Sequence, residues 1–273
     1  MIDLHIHSKF SSDSKQPVEE IIKKAIKKKI KVISITDHID YDYTDPSINF
    51  DFNINKYMEI IEEMQKKYGK KIKILKGVEL GLQPHLCDRL NKFSKKYNFD
   101  FLIGSFHTCK KKDLYQGDFY KGKDKYTAWD EYLEDIYETV KCFDKFSVLG
   151  HLDILKRYNK DVRDIDIDYI KPKLIKIFKL IIKKGIGLEV NTSGLRNAYG
   201  IGKTLPSFDI LEIYHNQGGK LLTIGSDSHD YKTLGKFNKN VLKKLNKIGF
   251  ENIYYFEKQN PKKFKIKKLL RKF

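Results

Sequence analysis

The chain has 273 residues, enough for one large domain with a substantial core, and its formal charge is +18 from 54 Lys and Arg against 36 Asp and Glu. No stretch approaches a membrane-spanning length, and the N-terminus lacks the basic segment, long apolar run and small-residue cleavage site of a signal peptide, so a soluble cytoplasmic protein is expected. Cys87, Cys109 and Cys142 are odd in number and form no CxxC pair, which favours reduced thiols over a disulfide framework or a thiolate zinc site.

In chain order, β-rich runs are predicted near 2–7, 32–36, 72–79, 100–106, 146–150, 186–191 and 220–225. Between them, helical periodicity covers 17–29, 53–67, 86–97, 126–142, 168–184, 207–217 and 236–248. The first of these helices opens on Pro17 and carries Val18, Ile21, Ile22, Ala25 and Ile26 on its apolar face. Strand-then-helix alternation implies a parallel sheet. Seven such units fit an α/β fold of the closed or nearly closed (β/α)7 barrel type, with a doubly wound open sheet as the alternative. Residues 1–273 read as a single domain, without an internal repeat or a Pro/Ser-rich linker. The longest connection, 107–145, holds the polar stretch CKKKDLYQGDFYKGKDK and reads as an active-site loop followed by a helix. The basic stretch KKFKIKKLLRKF at the end reads as a terminal helix with a solvated face.

A basic surface attracts polyanions, but here the positive residues are nearly all Lys, with Arg only at 89, 157, 163, 196 and 271. Coding bias alone can produce that pattern, so a solvated surface is favoured over a dedicated nucleic-acid face. The same field suits a small phosphorylated substrate.

Metal-capable side chains fall at strand ends. His5 and His7, two apart on the first strand, point to one face. Asp13 lies in the first loop, His38 ends the second strand, Glu79 the third and His107 the fourth; His151 follows the fifth, and Asp227 and His229 follow the seventh. A parallel barrel gathers these ends on one rim. Six of the eight His are in this set, and only His85 and His215 fall on helical stretches, where a bland structural role is expected. Imidazole and carboxylate ligation without thiolate suits Zn²⁺, Mn²⁺ or Fe²⁺, and nine such side chains imply two or three divalent ions. A carboxylate such as Glu79 can bridge a pair held roughly 3.5–4 Å apart, an arrangement suited to phosphoester hydrolysis. The scarce Arg157 and Arg196 follow strand ends, where a guanidinium could grip a phosphate bidentately.

The series HIHS with Asp13, TDH at 36–38, GVE at 77–79, SFH at 105–107, GH at 150–151 and SDSH at 226–229 resembles the motif series of the PHP (polymerase and histidinol phosphatase) superfamily. NTSGLR at 191–196, LPS at 205–207 and GHLDILKRY at 150–158 are similar to its histidinol-phosphatase branch in particular. The resemblance implies a distorted sevenfold barrel and a trinuclear site. His5, His7, Glu79 and Asp227 would hold the first ion, Glu79, His107 and His151 the second, and Asp13, His38 and His229 the third. It also implies hydrolysis of histidinol phosphate in histidine biosynthesis, with Glu79, Asp227 and His229 closest to the chemistry. Asp227, His229 and a metal-bound water remain alternative proton donors to the leaving group. The other reading is a PHP-type nuclease or nucleotide phosphoesterase, which the same metals would serve.

Overall fold

The computed structural model describes residues 1–45 and 47–271. In chain order the elements are β1 (Ile2–Asp3), α1 (Val18–Lys27), β2 (Val32–Ile35), β3 (His38–Ile39), α2 (Ile54–Tyr68), β4 (Lys73–Gly81) and α3 (Cys87–Lys96). Next come β5 (Phe101–Ser105), β6 (Thr108–Cys109), β7 (Lys112–Asp113), α4 (Lys125–Cys142), β8 (Val148–Leu149), α5 (Leu155–Tyr158) and α6 (Ile167–Lys184). The chain continues through β9 (Gly187–Asn191), α7 (Phe208–Asn216), β10 (Leu222–Gly225), α8 (Asn238–Ile248), β11 (Asn252–Glu257), β12 (Asn260–Lys265) and α9 (Ile266–Leu270).

Seven parallel strands run in the order β1-β2-β4-β5-β8-β9-β10, with β3 added against the far end of β4. The first and last strands meet where Leu4 N–H donates to the Ile224 carbonyl (3.1 Å) and His7 N–H to the Ser228 carbonyl (2.9 Å). The sheet is thus a nearly closed barrel, and the open-sheet alternative falls. The central strands are apolar because the barrel interior and the helices cover both faces; every residue of β2, β5, β9 and β10 is buried. Helices pack outside on apolar stripes, α1 through Val18, Ile21, Ile22 and Ala25. Asn53 and Asp124 cap α2 and α4 through Lys56 N–H (3.0 Å) and Thr127 N–H (2.7 Å).

Three expectations are corrected, and a fourth, the loop and helix of 107–145, gains detail. The first strand is shorter than 2–7: regular pairing with β2 ends at Asp3, and Ile6 pairs in an isolated bridge with Ser228 while its N–H donates to the Thr36 hydroxyl (3.0 Å). Inside the long 107–145 connection lies a small hairpin, β6–β7, turning at Lys110 and Lys111, both with positive φ. Asp135 of α4 steadies that turn by accepting from Lys110 N–H (2.8 Å). The basic C-terminal stretch is not all helix, because the chain up to Lys265 pairs in β12 and only Ile266–Leu270 is helical, with Ile266 and Leu269 buried; residues 272 and 273 lie outside the described residues. Finally, Cys87 and Cys142 are joined as a disulfide, their Cα atoms 5.9 Å apart, whereas Cys109 is free and buried. The start of α3 lies beside the end of α4, an adjacency that Cys spacing does not encode.

Among the described residues no helix is long and apolar enough to cross a membrane. The cysteine pairing predicts that alkylation of the unfolded, unreduced protein labels one thiol, and labels three after reduction. Intact mass measures both, and three labels before reduction would remove the bridge.

Candidate metal centre

The site is built at the C-terminal ends of the barrel strands. After His7 the chain is fastened to the end of β2 by Asp37, whose carboxylate accepts from Ser8 N–H (2.6 Å), Ser8 Oγ (2.7 Å), Ser11 N–H (3.1 Å) and Ser11 Oγ (2.8 Å). Asp227 adopts a left-handed backbone (φ 53°), a conformation a short polar side chain tolerates. Arg196 braces it: its Nη2 donates to the carbonyls of Ser226 and Asp227, the latter at 2.9 Å.

Glu79, fully buried, is the hub. Its Oε2 lies 3.0 Å from His5 Nε2, 3.2 Å from His38 Nδ1 and 3.5 Å from His7 Nε2. Its Oε1 faces a different set, His151 Nε2 at 2.9 Å and His107 Nε2 at 3.4 Å, and accepts from Ser105 Oγ at 2.6 Å. Asp227 is divided the same way. Oδ1 faces His7 Nε2 (3.4 Å), His229 Nδ1 (3.5 Å) and His5 Nε2 (3.8 Å), while Oδ2 accepts from Arg157 Nη2 (2.6 Å) and Asn191 Nδ2 (3.4 Å). Toward solvent, Asp13 Oδ2 lies 3.0 Å from His229 Nε2 and 3.5 Å from His38 Nε2. All nine side chains singled out from the sequence therefore converge.

The donor set fits divalent cations. Three groups, His7-Asp13-His38-His229, His5-His7-Asp227 and His38-Glu79-His107, each offer ligand atoms within 4.8 Å of one another. Ligands about 2.0–2.1 Å from a tetrahedral ion sit about 3.3 Å apart, close to most of the separations above. His7 gives the sharpest test. Its Nδ1 is 3.2 Å from Ser11 Oγ, whose own proton goes to Asp37, so Nδ1 is the donor. The buried Nε2 then directs a lone pair at two carboxylates without a hydrogen-bond partner.

Electrostatics agree. Burial opposes charge on Glu79, yet His5, His38 and His107 hold its carboxyl well below the usual range. For Asp227 burial is likewise outweighed, by Arg157 first and then His5. Burial and the neighbouring His229 and His38 push His7 down to about 3, whereas Glu79, Asp13 and Asp40 overcome burial and raise His38 to about 10. Positive charge is wanted here, and His7 cannot supply it by protonation.

An open pocket adjoins the cluster, with Asp13, His38, His107 and His229 at its base and Tyr43, Phe50, Tyr115, Tyr158, Tyr199 and Arg157 around it. Arg157 stacks its guanidinium over Tyr199 (4.7 Å) and also donates to Ser193 Oγ; its buried Nε has no hydrogen-bond partner. Arg196, facing the backbone carbonyls, does not line this pocket. His85 pairs with Asp42 (3.2 Å) and His215 packs edge-on to Phe250. Sequence reasoning missed Glu189 and Asp40; it pointed to Asn191 and Ser193 as loop-positioning residues, and Asn191 Oδ1 accepts from Ser193 N–H (2.9 Å). A lone carboxylate within the apolar strand GLEVN was the available signal for Glu189.

A nearly closed parallel barrel whose strand ends gather imidazoles and carboxylates defines a metal-binding α/β-barrel protein. The chain belongs to the PHP domain family, which it matches over residues 3–193. It is 32% identical over 95% of its length to a Clostridium acetobutylicum protein named "Probable histidinol-phosphatase", covering 98% of that protein. It is also 32% identical to the histidinol-phosphatase of Lactococcus lactis over 84% of each chain. A crystal structure of histidinol phosphate phosphatase from Lactococcus lactis, complexed with zinc, L-histidinol and phosphate, superposes with a TM-score of 0.83 at 29% identity, over 96% of this chain and 98% of that one.

If Glu79 joins two cation sites, Glu79→Gln keeps the shape and removes the charge that holds them. The expected result is loss of bound metal by elemental analysis together with loss of turnover, because the remaining buried charges are left uncompensated. A full metal complement in this variant would exclude Glu79 as a shared ligand.

Proposed function

We propose that this protein is a metal-dependent phosphomonoesterase that hydrolyses histidinol phosphate to histidinol and inorganic phosphate. The observation carrying this reading is the division of Glu79, one oxygen toward His5, His7 and His38 and the other toward His107 and His151, beneath a pocket that contains Arg157. His5, His7, Glu79 and Asp227 would hold one ion, Glu79, His107 and His151 a second, and Asp13, His38 and His229 a third. Bound Zn²⁺, Mn²⁺ or Fe²⁺ supplies Lewis acidity toward water and phosphate oxygens.

The chain's own groups do the rest. Arg157 lines the pocket and offers its guanidinium charge to the phosphate while Asp227 and Ser193 hold its Nη2. The tyrosines and Phe50 offer aromatic faces to the organic half of the substrate. Arg196 keeps Asp227 in its left-handed turn, so its contribution to substrate binding runs through that residue.

The direct test is phosphate release from histidinol phosphate, nucleotides, oligonucleotides and an aryl phosphate after loading with each metal. Selective release from histidinol phosphate is expected, with modest salt dependence. Turnover confined to oligonucleotides and falling steeply with salt would replace this reading with a nuclease.

The two arginines should separate kinetically. Arg157→Lys loses the planar fork at the phosphate, and kcat/KM should fall roughly tenfold to hundredfold, the equivalent of about 1.5–3 kcal/mol. Arg196→Lys should weaken metal retention along with rate. A fall in kcat/KM for Arg196→Lys at full metal content would instead put that guanidinium on the substrate.

A further inference from the structure

Two carboxylates outside the nine candidate ligands touch the rings that carry them. Glu189, fully buried on β9, has Oε1 2.6 Å from His5 Nδ1, and its Oε2 accepts from His151 N–H at 2.9 Å and from Asn191 Nδ2 at 3.3 Å. Asp40, following β3, has Oδ1 2.7 Å from His107 Nδ1, and its Oδ2 lies 3.3 Å from His38 Nδ1. The fold leaves room for both. A Cβ on Gly225 would stand 2.5 Å from Glu189 Oε1 and 2.3 Å from His5 Cβ, and a Cβ on Gly81 would stand 2.0 Å from Asp40 Oδ1. Each strand end therefore has a glycine where an outer carboxylate needs the space.

We infer that Glu189 and Asp40 are positioning residues, each holding one histidine in the Nδ1–H tautomer and aiming its Nε2 at a different cation, Glu189 through His5 and Asp40 through His107. The inference rests on the proposed metal centre. A carboxylate accepts only, so a ring nitrogen at 2.6–2.7 Å from it carries the proton. The other nitrogen of each ring lies near Glu79, His5 Nε2 by Oε2 and His107 Nε2 by Oε1, so the two carboxylates act on opposite sides of the hub. Hydrogen bonding to a carboxylate also raises the basicity of the ligating nitrogen. Glu189 does further work: with both oxygens engaged it ties His5 to the backbone of His151. A Gln in its place has one acceptor oxygen for the two donors, His5 Nδ1–H and His151 N–H.

The test is Zn²⁺ binding by the full chain, measured ion by ion in competition with a chromophoric chelator, for wild type, Glu189→Gln, Asp40→Asn and the double variant, with unfolding of the metal-free proteins followed in parallel. Each single variant should weaken one ion by roughly tenfold to a hundredfold and leave another near its wild-type affinity; the double variant should weaken both. Side-chain ¹⁵N spectra of the zinc-loaded single variants should show one histidine Nδ1–H resonance displaced in each, a different one in the two cases. Glu189→Asp, which keeps the charge but withdraws it by one methylene, serves if Glu189→Gln does not fold, and should weaken the same ion. Wild-type affinities in every variant would overturn the inference. So would equal weakening of all ions in step with a loss of metal-free stability, the mark of a merely structural role. A wild-type protein that binds no Zn²⁺ would remove the metal centre itself, and the positioning role with it.

Discussion

One carboxylate governs this molecule. Glu79 is fully buried at the end of β4, and five imidazoles from four separate segments crowd around its two oxygens. A buried charge needs close compensation, and a set of lone-pair-bearing rings supplies it only with a shared cation or with protons. His7, stacked on His38 (4.4 Å) and His229 (4.1 Å), cannot take a proton beside its neighbours at ordinary pH. A bound cation would compensate the whole cluster at once.

The surroundings answer to that demand. Asp37 anchors the loop after His7, Arg196 fixes the turn at Asp227, and Ser105 holds one oxygen of Glu79. Asp37 and Ser105 are fully buried, and such packing supports the ligand side chains from behind. Arg157 joins the two halves of the site: one nitrogen neutralises Asp227, and its stacked plane forms part of the pocket wall. The cluster also opens by degrees, from the sealed Glu79 to the exposed Asp13, so an ion held at Asp13 would be near solvent.

Much of this was legible in the linear chain. Alternation of buried strands and amphipathic helices depends on local side-chain periodicity, which is why the seven βα units and the helix positions could be read directly. His5 and His7 share a face because strand side chains repeat every two residues, and the other candidates were visible because they end successive strands that a parallel barrel must bring to one rim. Those are consequences of backbone geometry, and they require no knowledge of the packed molecule.

Tertiary structure decided whatever depends on distance between remote segments. That Glu79 offers separate oxygens to separate histidines, that Arg157 faces the pocket while Arg196 faces backbone carbonyls, and that Cys87 reaches Cys142 all follow from how helices and loops pack. Glu189 and Asp40 stayed hidden for the same reason. Their meaning lies in contacts with His5 and His107 across 184 and 67 residues, made possible by the space left at Gly225 and Gly81. Period and composition report which face a side chain occupies, whereas only the closed barrel determines which atom it meets there.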